Sequence, residues 1–107
     1  MYFDGTTLTA LLSDADKAAA YAPAIAADGR AQTSPIAVIE AAMELPELGE
    51  AGVRAFLDAQ RIELRDMPPG HHLIAGSLAA DGKLKARLHA ACAAYYETDM
   101  FVLPAGE

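Results

Sequence analysis

The apolar positions come in short bursts that switch between two periods. Tyr2-Phe3-Asp4 is an apolar pair closed by a carboxylate and reads as a strand, and Gly5-Thr6-Thr7 then turns the chain into Leu8, Leu11 and Leu12 at helical spacing. Ser13 or Asp14 can cap a second helix over the alanine-dense stretch Ala15 to Ala27, which Asp28-Gly29 stops. Pro23 inside that stretch predicts a kink or a split. Ala31 to Thr33 is a brief strand, after which Ser34 caps and Pro35 opens a helix carrying Ile36, Ile39, Glu40 and Met43. A further amphipathic helix holds Val53, Phe56 and Leu57 on one face, and Arg61 to Asp66 alternates like a strand. After Pro68, Pro69 and Gly70, helices are expected over His71 to Ala80 and Lys83 to Tyr96, and Met100 to Leu103 has the composition of a buried strand. Strand and helix in alternation predict a parallel sheet with helices on both faces.

Composition narrows this picture to one domain spanning residues 1–107. The chain has 53% hydrophobic residues in 107, enough for a core and too many for a disordered segment. About a quarter of it is alanine, which favours helices packed closely through small side chains. Its formal net charge of -7 opposes wholesale binding to a phosphate backbone unless a metal or a local cation intervenes. A single cysteine, Cys92, allows no internal disulfide. The N-terminus has no basic leader, and no apolar run approaches the ~20 residues of a membrane span, so a cytoplasmic protein is expected.

In open parallel sheets, ligands collect at the carboxyl ends of strands. Asp4 ends the first strand, Glu107 follows the last, and Glu40 lies about one and a half turns into the helix that leaves Thr33. Carboxylates gathered there suit a hard divalent cation, which can generate hydroxide and neutralise charge in phosphodiester cleavage. Lys83, Lys85 and Arg87 are the densest positive cluster, read either as a solvated face or as a phosphate-contact patch. His71 and His72 lack a third partner at ligand spacing, Cys92 sits among alanines as a small hydrophobe, and only one of Tyr95 and Tyr96 can face the core.

These residues carry a resemblance. Residues Met1 to Leu12 look like the opening of PIN-domain proteins of the VapBC toxin-antitoxin type, and Thr33 to Ala41 is similar to their second motif, a helix bearing the second acid. Phe56-Leu57 through Leu64, then Ala86 to His89 with Cys92 to Tyr95, and finally Met100 to Glu107, are similar to their later elements. The resemblance implies a PIN-like three-layer α/β/α sandwich with a central parallel sheet. It also implies a VapC-like toxin: a Mg2+- or Mn2+-dependent endoribonuclease, homodimeric, acting on RNA and neutralised by a cognate antitoxin. Asp4, Glu40 and Glu107 would be its catalytic and metal-binding acids, Thr6 would support Asp4, and Lys85 and Arg87 would contact RNA. One departure stands out: the family's third acid precedes the cysteine, where this chain has Ala91, and the preceding segment is one residue short with His89 where asparagine is usual. Glu97 and Asp99 are the acids beyond it that could replace it. The alternative is a catalytically degenerate PIN domain that serves as an antitoxin- or partner-binding module.

Overall fold

A computed structural model describes residues 1–103. Tyr2–Phe3 forms β1, Gly5–Ser13 α1, Ala15–Asp28 α2, Gln32–Thr33 β2, Pro35–Glu44 α3 and Gly49–Gln60 α4. Glu63–Leu64 forms β3, Gly70–Ala79 α5 and Leu84–Tyr95 α6. The strands pair in parallel in the order β1-β2-β3, with Tyr2 opposite Gln32 and Gln32 opposite Glu63.

The three-layer sandwich on a central sheet is not what the chain builds. Among the described residues there are six helices and three strands of two residues each, a mainly helical fold with a small parallel sheet. The cause lies in the caps. Asp4 accepts from the Thr7 N–H at 2.8 Å, and Ser34 Oγ stands 3.5 Å from the Ala37 N–H, so each of the first two strands yields to a helix one residue after its last rung. The expected last strand is also reduced. Met100 makes one parallel bridge to Tyr2, and Phe101 to Leu103 continue without regular structure. Helices pack mainly on helices, α5 against α6 and α1 against α3.

Pro23 neither splits nor shortens α2, which runs unbroken from Ala15 to Asp28. Ile25 is its only buried side chain and Pro23 itself is exposed, so water can take the carbonyl that the missing N–H leaves free. Glu107 and the exit loop from Pro104 lie outside the described residues.

Successive side chains of β1 point to opposite faces. Phe3 enters the larger core with Leu8, Leu11, Ile25, Val38, Val53, Leu57 and Ile62, whereas Tyr2 enters a smaller one with Cys92, Ala93 and Tyr96. The N-terminal ammonium is tied to Asp28 Oδ2 at 2.7 Å, which holds that carboxyl below the usual range and fixes the start of β1. No helix of the described residues is long and apolar enough to cross a membrane.

Small residues let α5 and α6 approach closely. A Cβ built on Gly76 would lie 2.9 Å from the Ala91 Cβ and 3.1 Å from its Cα, with backbone that cannot swing aside. Gly76→Ala is therefore expected to destabilise the fold by about 1–3 kcal/mol despite the better helix propensity of alanine. Urea denaturation measures it, and an unchanged or higher midpoint would show that the helix pair can relax.

Candidate functional site

The site begins with two helix starts. Asp4, the residue after β1, turns its carboxylate back to cap α1, and the proline-led helix α3 leaves the end of β2 with Glu40 in its second turn. Gly5 opens α1 beside that side chain. A Cβ on Gly5 would lie 2.6 Å from both Cβ and Oε1 of Glu40, so only glycine leaves room for the carboxylate where it sits.

From the other side comes α6. Lys85 and His89 are four residues apart and so share one face of that helix. The Lys85 ammonium is 2.8 Å from Glu40 Oε2, and His89 Nε2 bonds Glu40 Oε1. His89, 2% exposed, is joined through Nδ1 to the Tyr2 hydroxyl at 2.6 Å, and that hydroxyl meets Ser34 Oγ at 2.7 Å. An ionised carboxylate has no proton to give, so His89 donates through Nε2–H. In the neutral imidazole Nδ1 then accepts from Tyr2, whose oxygen in turn accepts from Ser34. A continuous line of hydrogen bonds thus runs from the buried cap of α3 to a lysine at the surface.

Burial pushes the Tyr2 phenol far up, the Ser34 bond opposing it in part, so Tyr2 stays protonated through the working range. Burial likewise raises the Cys92 thiol, which makes it a poor nucleophile, as its alanine neighbours suggest. The Lys85 ammonium is held above its ordinary range, first by its hydrogen bond to Glu40 and then by the charge of that group, with smaller pulls from Asp4 and Glu44.

Gly5, Thr6, Thr9, Ala10, Glu40, Met43, Glu44 and Lys85 line a pocket of about 420 Å3. The structure therefore brings Glu40, Thr6 and Lys85 together, with Asp4 at their edge. Thr6 lines the pocket, and the group that holds Asp4 is the N–H of Thr7 rather than a hydroxyl of Thr6. Arg87 turns away to the carbonyls of Gly82, Ser77 and Leu78, closing the α5–α6 turn. Glu97 and Asp99 border a different pocket, with Met1, Asp28 and Arg30. His71 and His72 are exposed at the start of α5, where the His72 ring leans on Tyr95, and Tyr96 is the tyrosine that enters the core.

These positions test the metal that the resemblance implies. Asp4 is engaged as a cap, both oxygens of Glu40 are bonded to groups of α6, and Ala91 is a buried apolar residue facing Gly76. Among the described residues no three His, Cys, Asp or Glu side chains are grouped to hold an ion. As placed, the donor set does not fit Mg2+ or Mn2+. Comparison with protein-family models, curated proteins and solved structures finds no match for this chain.

Two expectations follow from the bonded line. Tyr2→Phe strands the His89 Nδ1 and the Ser34 hydroxyl in a buried setting and is expected to cost about 1–3 kcal/mol in urea denaturation; no loss would mean that the two groups find other partners. The Lys85 shift carries its own pH signature. Because its folded value lies above the ordinary lysine value of 10.5, the pair's contribution is complete below that pH and is lost as pH rises through the folded value. An NMR titration of the Lys85 amine should end lower in Glu40→Gln than in the parent chain, and equal endpoints would deny the coupling.

Proposed function

We propose that this chain is a VapC-like toxin-antitoxin protein whose acidic pocket is catalytically silent, so that it serves as a binding module for an antitoxin-class protein partner. The observation that carries the reading is the double engagement of Glu40 by Lys85 and His89. A catalytic acid must offer lone pairs to a metal, and here the protein's own donors take them. The surface beside the pocket supports a partner role. Met43, on the pocket wall, is 75% exposed, and Ile39 on the same helix and Leu84 next to Lys85 are also exposed. Exposed apolar side chains of this size are common in protein-binding patches.

One observation favours the second reading, Mn2+- or Mg2+-dependent RNA cleavage. Glu40 and Glu44 line the same pocket as Thr6 and Thr9, and oxygen donors of this kind are those a hard cation takes. The acidic balance argues that RNA would reach the pocket only with such a cation present.

A cleavage assay separates the two. Purified chain incubated with a mixed RNA pool and Mn2+ is expected to leave the RNA intact, under conditions where an active VapC-type nuclease degrades it. It is expected to form a stoichiometric complex with the product of an adjacent antitoxin-like reading frame when the two are co-expressed. Cleavage that disappears in Asp4→Asn would overturn the silent reading in favour of the nuclease, and failure to form the complex would remove the partner role.

A further inference from the structure

The helix α5 is built inside out. Of the six helices among the described residues, only α1 and α5 carry no Asp, Glu, Lys or Arg. A helix without charge on any face belongs in an interior, and α1 conforms, with Gly5, Thr7, Leu8 and Leu11 buried. In α5 no residue is buried. Its inner side is narrow, where Gly76 meets Ala91 of α6. At about 100° per residue, Ile74 and Leu78 each lie roughly 160° from Gly76, on the outer side with His71 and Ala75. Ile74 is 63% exposed and Leu78 76%. A surface helix ordinarily turns its large apolar side chains inward and small or polar ones outward; α5 does the reverse and leaves an apolar stripe uncovered.

We infer that the outer stripe of α5 is covered by α5 of a second copy of this chain, the two helices running antiparallel across a two-fold axis beside Ala75. Charge selects this occupant. The chain carries a net charge of -7, and α2, α3 and α4 expose Asp16, Glu44 and Glu50, so two copies repel one another where those helices meet. The stripe on α5 brings no carboxylate to the contact. A different partner, drawn to an acidic chain by opposite charge, would settle on the acidic helices, because α5 offers it nothing to pair with. Shape agrees with a two-fold contact, which must be complementary to itself. Antiparallel pairing sets Ile74 against the small Ala75 of the second copy and Leu78 against its His71 ring, and it places each His71 beside the negative end of the facing helix. Tyr95, 41% exposed and in ring contact with His72, extends the surface at one end. With α5 only about 15 Å long, the contact stands at the small end of specific interfaces, so the dimer is weak. No residue of α5 lines the Glu40 pocket, and the inference holds whether that pocket is silent or not.

Sedimentation of the full chain from ~1 to ~500 μM is expected to show a monomer–dimer equilibrium. Ile74→Glu and Ile74→Lys each set like charges together beside the axis and should weaken association at least about tenfold, while an equimolar mixture of the two should restore it, because opposite charges then meet. The mixture separates a lost contact from a damaged fold, and thermal melting shows that each variant is folded; Leu78→Glu is the second variant expected to weaken the dimer. A chain that stays monomeric over the whole range overturns the inference, as does a dimer that none of the substitutions weakens or a mixture no better associated than its components. A monomeric chain whose complex with a co-expressed antitoxin-class protein is lost in Ile74→Glu also overturns it and gives the stripe to that partner.

Discussion

The half-hidden carboxylate of Glu40 ties together four elements of this molecule. It sits on α3, touches the glycine that opens α1, bonds two residues of α6 and, through His89, reaches β1 and the cap of its own helix. A charge drawn out of water must be repaid by partners, and a buried polar chain is stable only when every member is satisfied. Here each member is satisfied. His89 uses both nitrogens, Tyr2 serves both a histidine and a serine, and the last acceptor faces an ammonium that water can also reach. The same chain explains why β1 can carry a tyrosine into the smaller core: its hydroxyl has two partners waiting.

The helix-dominated architecture follows from what comes directly after each strand. Asp4 and Ser34 are strong caps, and a cap ends extended backbone as firmly as it begins a helix. The strands are left with two rungs apiece, so the helices must bury much of their apolar surface against one another. Alanine and glycine make that possible at short range. Gly76 against Ala91 shows the benefit, an approach no larger pair would allow, and also the cost, since such a seam contributes little apolar area.

Much of the element order is legible in the sequence, because caps and breakers are local chemistry. Ser34-Pro35, Asp14, Gly29 and Pro69-Gly70 mark boundaries that appear within a residue or two of where they are expected. Layer architecture is less legible, since the apolar run Met100 to Leu103 looks like a strand whether or not a neighbour is long enough to pair with it. In the site, Asp4, Glu40, Thr6 and Lys85 stand out as charged or hydroxyl groups at helix starts and strand ends. His89, Tyr2 and Ser34 do not, because each is an ordinary core or cap residue until the fold brings Ser34 and residue 89 together across β1. One signal was available: Lys85 and His89 at a spacing of four present two donors on one helical face, which asks for an acceptor opposite.

That spacing also changes the meaning of Ala91. An acid missing from an intact site would leave a gap pointing into the pocket, but Ala91 points at α5, where Gly76 has no side chain to accommodate anything larger. Each residue along a helix turns the side chain by about 100°. Residues 85 and 89 therefore own the face toward Glu40, and position 91, two residues further on, lies roughly 200° from that of residue 89. A carboxylate placed there would be buried against a helix seam and far from any cation in the pocket. Helix register as well as residue identity therefore keeps position 91 out of the pocket: α6 presents a lysine and a histidine to the acid, and the charge balance of the pocket is completed from within the chain.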